Sequence, residues 1–418
     1  MVQRVAKFVL VAKIRGMLTL LGRALAGCLT GFCLAQAPAG ALVGVVAPRV
    51  AAGRPLLWVL RDGGSPDLVV QPLADGAVRY FAWCEAGQPG RVHGGANDAG
   101  LGIAGAPVFV ADGAAGAGAD LALCALLKEA LRSCRDVAAV EALLRSSDAK
   151  GRTFAANVVA IDASGTAALF EVRADASTRV DAATAERGVI VRGGSFPTPE
   201  AQADERQRLA EAVFARAPAD GVSASFVLQQ VARDLTLPTG APHPRDGRLD
   251  TRATLHRQST TGALVAQGVT NGEDVGWTTL WVSLGQPLFT AALPLFPAAG
   301  VVPRTVAGDP RSALAQASQR LQERFYAAAD GAEPADLRWL RTDLLPPVRR
   351  DLMFHEAETT ALLGEARANW RTAGERPPLP QLRQFQEAMA ARLQQQLADL
   401  SARPTAPAAT PPAEPKGK

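Results

Sequence analysis

The sequence of 418 residues is poor in cysteine and histidine, the side chains that most often build crosslinks and metal sites. Of five cysteines, Cys28 and Cys33 fall in the first 39 residues, and the three that remain are not a disulfide framework. The four histidines are scattered, and Thr359 stands where the second ligand of a zinc-peptidase motif starting at His355 would be. We therefore expect no metal and no cofactor, and we place His355 on a solvated helix face.

The remaining cysteines are Cys84, Cys124 and Cys134. In an oxidising compartment one pair of them could form a disulfide bridge. Cys124 and Cys134 lie on an apolar helical stretch, where buried free thiols are common. We therefore favour packing over redox chemistry for these two.

The chain also lacks a basic cluster beyond residue 39. Residues 1–39 carry five basic side chains and no acid, so the formal charge of +4 leaves 4 − 5 = −1 for the rest. A nearly neutral chain does not have the electrostatic footprint that nucleic-acid binding requires. We exclude nucleic acid as a partner.

The N-terminus is typical of an export signal. Basic residues precede an uncharged run over 24–48, which contains the small-x-small pattern Ala37-Pro38-Ala39 of a cleavage site. Translation could start at Met1 or Met17, and cleavage after Ala39 would make Gly40 the new N-terminus. The sequence thus predicts a signal peptide at 1–39 and a periplasmic or secreted protein.

Two other interpretations of this segment stay open. Residues 25–28 resemble a lipoprotein box that would lipidate Cys28. Alternatively, the uncharged run could be retained as a membrane anchor. Its glycines, prolines and Gln36 argue against this interpretation. We expect membrane association only in these two cases.

The first three hundred residues alternate paired strand patterns with helical patterns. Strand patterns over 154–161 and 167–172, and over 278–284 and 288–295, flank turn residues and predict hairpins. Helical patterns lie between them, over 120–134, 136–145, 203–216 and 223–235. Antiparallel pairs interrupted by helices indicate an α+β fold.

After Pro303 the pattern becomes helical. Asp309-Pro310 predicts a helix start, with the helix running to about residue 329, and further helices are predicted at 334–345, 347–372 and 378–401. The apolar stripe of the last helix could dock on the main domain or on another subunit, and we favour the main domain. We expect domains at 40–303 and 304–402 and a disordered Pro/Ala-rich tail at 403–418.

Two motifs that could indicate an enzyme are not supported by the residues around them. Residues 100–105 match the glycine fingerprint of dinucleotide-binding proteins, but no apolar strand precedes them and Pro107 prevents the helix that should follow. A glycine-spaced strand is the better interpretation. The chain has no Gly-x-Ser-x-Gly elbow, and Ser195 and Ser259 are best interpreted as turn or strand serines.

Several segments together carry a family resemblance. They are the first hairpin pattern at 40–62, residues 95–103 (Gly-Ala-Asn-Asp-Ala-Gly-Leu-Gly-Ile), and the hairpins at 155–171 and 268–287. In this order they resemble the N-terminal-nucleophile hydrolases related to isopenicillin N acyltransferase, carcinine hydrolase and choloylglycine hydrolase. The resemblance implies a four-layer αββα fold, with two antiparallel sheets between helices, and a C-terminal helical extension added to it.

The resemblance also implies the site residues. In the family an N-terminal cysteine attacks an amide, its own α-amine acts as general base, and asparagines stabilise the oxyanion. Here Gly40 occupies the nucleophile position without a thiol, Asp62 keeps the family's aspartate and Asn97 its first oxyanion asparagine. The second asparagine falls at Gly194. Val59 stands at the position of the family's arginine. Arg61 could take the place of that arginine, because alternate residues of a strand share a face.

The missing thiol leads to two hypotheses. The first is an exported, non-catalytic relative that binds a small acyl or amide compound, or a partner. The second is an active amidase or acyltransferase on a non-peptide amide bond, in which the α-amine of Gly40 acts as general base. The sequence leaves open whether the protein is an enzyme.

Overall fold

The computed structural model describes residues 41–108, 117–196, 204–239, 241, 247–308, 310–327, 339–374 and 376–403. The predicted signal, the nucleophile position Gly40 and the predicted tail beyond Arg403 lie outside the described residues. No helix in the described ranges is long and apolar enough to cross a membrane.

A six-stranded antiparallel sheet contains the predicted first and last hairpins. Its strands are β1 (Ala41–Val46), β2 (Leu56–Asp62), β10 (Val189–Arg192), β12 (Thr260–Gln267), β13 (Thr279–Leu284) and β14 (Leu293–Leu295). They lie in the order β10-β1-β2-β12-β13-β14. The first two residues of the predicted strand at 288–295 belong instead to a 3-10 turn, Pro287–Phe289. Pro287, just before the predicted strand, has no amide hydrogen for strand pairing.

A second antiparallel sheet of seven strands follows the order of the chain. Its strands are β3 (Leu68–Leu73), β4 (Tyr80–Glu85), β5 (Gln88–Asn97), β6 (Gly102–Pro107), β7 (Ala156–Ile161), β8 (Ala167–Val172) and β9 (Ser177–Asp181). The glycine-rich segment is therefore a strand, as predicted. At Gly102 a Cβ atom would lie only 2.9 Å from the Cβ of Ala266 on the other sheet, so glycine allows the two sheets to approach closely.

Eight helices of the described residues accompany the sheets. They are α1 (Ala117–Ser133), α2 (Val137–Asp148), α3 (Glu205–Phe214), α4 (Ala224–Phe226), α5 (Arg304–Ala307), α6 (Ala313–Glu323), α7 (Leu345–Ala373) and α8 (Leu379–Ala402). A π turn, Val227–Val231, continues α4. The start of α2 is fixed by Asp136, whose carboxylate accepts a hydrogen bond from the amide of Ala139.

Three hydrophobic clusters define four layers. Between the sheets, apolar residues of β1 and β2 pack on those of β4 and β7: Val43, Val45, Leu57, Val59, Phe81, Trp83, Val159 and Ile161. The outer face of the first sheet packs on α3 and the π turn through Leu42, Trp58, Val213 and Val227. The outer face of the second sheet packs on α1 and α2 through Ile103, Val158, Leu127 and Val140. The predicted αββα layering is confirmed.

The segment after Pro303 packs on the same body. The apolar stripe of α8 is buried at Leu382, Met389, Leu393, Leu397 and Leu400. Four of these five side chains join the cluster that also fills the space between the sheets, and Leu382 joins the cluster on the outer face of the first sheet. The stripe therefore docks on its own chain.

Two helix predictions in this segment are wrong. Pro310 lies outside any helix, and α6 begins at Ala313 because the hydroxyl of Ser312 caps it. The predicted helix at 334–345 is instead strand β16 (Trp339–Arg341) where it is described. This strand pairs with β11 (Arg248–Asp250) and β15 (Tyr326–Ala327), and these partners, distant in sequence, override the helical pattern.

Candidate functional site

The start of β1 marks the place where the family resemblance puts the catalytic centre. Ala41 is paired with Arg61 on β2, and both line a small cavity of about 10 Å³. Val59 also lines this cavity, so Arg61 and Val59 share a face of the sheet. Gly40, immediately before Ala41 in sequence, is outside the described residues.

Arg61 is buried and fully engaged. Its guanidinium donates to Oε1 of Glu85 at 3.0 Å, to the carbonyl of Gly63 at 2.6 Å and to the hydroxyl of Thr261 at 2.9 Å. Burial lowers the pKa of Arg61, and the charge of Glu85 opposes that shift. The ion pair connects the two sheets beside Ala41.

The side chain of Asp62 points to the face of the first sheet opposite to that of Arg61. It follows Arg61 on the strand, so its carboxylate lies on the face covered by α3, where it accepts hydrogen bonds from two nitrogens of Arg206. Thr260 donates a third hydrogen bond at 2.7 Å. Asp62 therefore does not line the cavity with Ala41, contrary to the role that the resemblance implied.

Asn97 also forms its hydrogen bonds with other parts of the chain. Its amide nitrogen donates to the carbonyls of Leu131 and Cys134 at the C-terminal end of α1, at 3.0 and 2.8 Å. Its amide oxygen accepts from the backbone of Ala99 and Leu101. Both amide hydrogens are used, so Asn97 has none to offer to an oxyanion in this geometry.

The segment around Gly194 is held by an asparagine that the sequence analysis did not single out. Asn157 on β7 donates to the carbonyls of Gly193 and Ser195, at 2.9 and 3.3 Å. Its Oδ1 is buried without a hydrogen-bond partner among the described residues. The resemblance of its hairpin to the family was the only signal in the sequence that could have pointed to Asn157.

A cluster of polar side chains extends from Arg61 to α1. Nε2 of His93 lies 3.4 Å from Oε1 of Glu85, and Nδ1 of His93 lies 3.9 Å from Sγ of Cys124. Asp120, one helical turn before Cys124, pairs with Arg91 at 2.6 Å. His93, Asp120 and Cys124 each offer a ligand atom, and these three atoms lie within 4.8 Å of one another.

Burial decides the charge states in this cluster. It lowers the pKa of His93 to about 4, helped by the charge of Arg61, and raises the pKa of Cys124 to about 12. Burial also tends to raise the pKa of Glu85, but hydrogen bonding to His93 and the charge of Arg61 bring it below its usual value. Near neutral pH the cluster holds a neutral imidazole, a neutral thiol and a carboxylate.

Two expectations about single side chains have clear outcomes. His355 is only 6% exposed, so the solvated helix face predicted for it is wrong, because α7 packs against α8. Cys124 and Cys134 are buried free thiols, as favoured from the sequence, and Cys84 is a buried free thiol as well.

A much larger cavity lies away from Ala41, on the outer side of the first sheet. It holds about 500 Å³ between β10, α3 and the loop that follows β1. Its floor is apolar, formed by Val50, Val189, Val191, Phe214 and Val222. Charged side chains on its rim are Arg49, Glu186, Arg187, Glu211 and Asp220.

Arg49 and Arg187 differ in how they are held. The guanidinium of Arg49 donates to the carbonyls of Ala185 and Glu186. Arg187 is exposed and makes no hydrogen bond or ion pair with the residues that the structure describes. Arg187 is therefore available to an anionic group entering the cavity.

Comparison with known proteins gives matches among solved structures alone. No protein-family model and no curated protein matches the chain. Penicillin V acylase from Agrobacterium tumefaciens is 14% identical, covering 61% of this chain and 86% of that one, with a TM-score of 0.33. A mutant of conjugated bile acid hydrolase from Clostridium perfringens is 11% identical, covering 58% and 88%, with a TM-score of 0.36.

The fold assignment rests on the sheets and layers described above. Two antiparallel sheets pack face to face, and helices cover both outer faces. The chain therefore has the four-layer αββα architecture that the family resemblance implied.

Proposed function

We propose that this protein is an exported, non-hydrolytic binding protein built on the fold of an amide hydrolase. The observation that carries the proposal is the small volume of the cavity at Ala41. Its volume of about 10 Å³ is roughly that of one water molecule, far below the 300–1,000 Å³ of ordinary ligand pockets. Arg61, which lines this cavity, is held in a buried ion pair with Glu85.

The chemistry around this cavity supports the same conclusion. Asp62 and Asn97, the two side chains retained from the family pattern, form structural hydrogen bonds outside the cavity. The nearby thiol of Cys124 is protonated at neutral pH, and a thiol attacks far more slowly than a thiolate. Amide hydrolysis would need a nucleophile and an oxyanion donor in one place.

The ligand, in this proposal, occupies the cavity of about 500 Å³ between β10 and α3. Its apolar floor suits an acyl chain, and Arg187 on the rim suits a carboxylate. An N-acyl amino acid combines these two features in one small molecule. This ligand class is the acyl or amide compound expected from the sequence.

Calorimetric titration with an N-acyl amino acid and with the matching N-acyl amine tests the proposal. The acid should bind, and Arg187→Gln should weaken its binding at least tenfold while leaving the amine unchanged. Arg135→Gln, an exposed arginine outside the cavity, is the matched control. Release of product from N-acyl amino acids or conjugated amides, or an acyl adduct detected by mass spectrometry, would end the non-hydrolytic proposal.

One observation favours a second candidate, an amidase that uses the α-amine of Gly40. Ala41, the residue that follows Gly40 in the sequence, lines the small cavity with Arg61. Intact-mass measurement of the exported protein tests this candidate and the proposed export together. A mature N-terminus at Gly40 supports both, whereas an N-terminus at Cys28 excludes the amine as a base.

A further inference from the structure

We propose that His93, Asp120 and Cys124 form a zinc site that fastens β5 to α1. The three side chains supply nitrogen, oxygen and sulfur ligands, a donor set that suits Zn²⁺. Their ligand atoms already lie within 4.8 Å of one another. The site is independent of the proposed ligand cavity, which lies on the outer face of the other sheet.

The local geometry is close to that of a metal site. Zn–S and Zn–N bonds of about 2.3 and 2.0 Å at a tetrahedral angle place sulfur and nitrogen about 3.5 Å apart. Sγ of Cys124 and Nδ1 of His93 are 3.9 Å apart. A shift of a few tenths of an ångström would bring both into bonding distance of one ion.

The helix provides two of the ligands on one face. Asp120 and Cys124 are four residues apart on α1, so their side chains lie one above the other and face the same strand. Asp120 is partly exposed, with a quarter of its side-chain surface accessible, whereas His93 and Cys124 are buried. Asp120 therefore offers the ion an entry from solvent.

The surroundings of His93 fit a ligand histidine. Its Nε2 lies 3.4 Å from Oε1 of Glu85 without a hydrogen bond, so a small rotation of the ring would let this carboxylate orient a metal-bound imidazole. Nδ1 is the nitrogen that faces Cys124, 3.9 Å from its Sγ. Two arginines, Arg61 and Arg91, balance the charges of Glu85 and Asp120.

Binding would displace the thiol proton of Cys124 to solvent and form a Zn–S bond, with no change of oxidation state. The three protein ligands leave a fourth position for a water molecule. The cavity of about 10 Å³ that these residues share with Ala41 is of the size that one water needs.

Titration of the chelator-treated full-length protein with Co²⁺, followed by competition with Zn²⁺, tests the site. We expect a thiolate-to-cobalt charge-transfer band in the near ultraviolet that Zn²⁺ abolishes, one ion per chain, and a higher Tm with Zn²⁺. Cys124→Ser should remove the band. Cys134→Ser, which changes a buried thiol on the same helical stretch, should keep it.

Glu85→Gln tests the orienting carboxylate and should weaken metal binding 10- to 100-fold while keeping the band. Circular dichroism of each variant shows whether it is folded. Folded wild-type protein without a charge-transfer band overturns the proposal, and so does a band that survives in Cys124→Ser or disappears in Cys134→Ser.

Discussion

Asp62 on β2 and Arg206 on α3 form an ion pair with both side chains only 4% exposed, on the face of the first sheet that points away from Ala41. Arg206 also donates to the carbonyl of Leu255 at 2.8 Å. The aspartate that resembles a catalytic residue in the sequence thus fastens a helix to the sheet.

Asp62→Asn should therefore destabilise the fold. The substitution leaves the buried guanidinium of Arg206 without its counter-charge, which costs about 3–5 kcal/mol. Urea unfolding measures the change. Asp98→Asn breaks the more exposed pair with Arg79 and should cost less than about 1 kcal/mol. Equal losses in the two variants would contradict a structural role for Asp62.

The buried pair Arg233–Glu356 provides a parallel test for α7. Glu356 accepts two hydrogen bonds from Arg233 and one from the amide of Ala292, with both charged side chains at most 1% exposed. Glu356→Ala should cost about 3–5 kcal/mol of unfolding free energy. Glu358→Ala on the same helix breaks a pair with Arg392 in which both side chains are exposed, and it should destabilise the protein far less.

Acid should weaken the fold through His256. Burial lowers its pKa from 6.5 to about 4, while a hydrogen bond to the carbonyl of Ala232 opposes the shift. The unfolded chain binds the proton on His256 more tightly than the folded chain does. The stability that comes from this difference is therefore complete above pH 6.5 and is lost as the pH falls toward 4.

The loss through His256 amounts to at most about 3 kcal/mol. Urea midpoints at pH 7 and pH 5 should differ more for the wild type than for His256→Asn. Identical pH dependence of the two proteins would show that the buried imidazole is not the cause.

Two glycine substitutions should act in opposite directions. A Cβ at Gly364 in α7 meets nothing within 4 Å, so Gly364→Ala should stabilise the protein by about 0.5–1 kcal/mol through helix propensity. A Cβ at Gly44 would lie 2.7 Å from the carbonyl of Ile190 and against the indole of Trp58, so Gly44→Ala should destabilise it by about 1–3 kcal/mol. Thermal unfolding distinguishes the two. A gain at Gly44 would mean that β1 and β10 are not paired as described.

The sequence by itself determined the local elements and the layered architecture. Alternating apolar residues and turn residues predicted the 154–172 hairpin, because strand period and turn chemistry are local properties. The first hairpin and the αββα layers were implied by the family resemblance. The glycine-spaced strand at Gly102 followed from the absence of any flanking Rossmann element. Prediction failed at Trp339–Arg341, where a helical pattern yields to strand pairing with residues far away in sequence.

The tertiary structure alone decided what the site residues contact. Sequence resemblance to the family placed Asp62 and Asn97 in a catalytic site, but the side-chain alternation of β2 and the end of α1 give both of them structural partners. The approach of His93 to Cys124 was equally invisible in the sequence, because the strand and the helix that carry them are separated in the chain and meet only through packing. Local patterns encode periodicity, whereas contacts between distant segments depend on how the layers pack together.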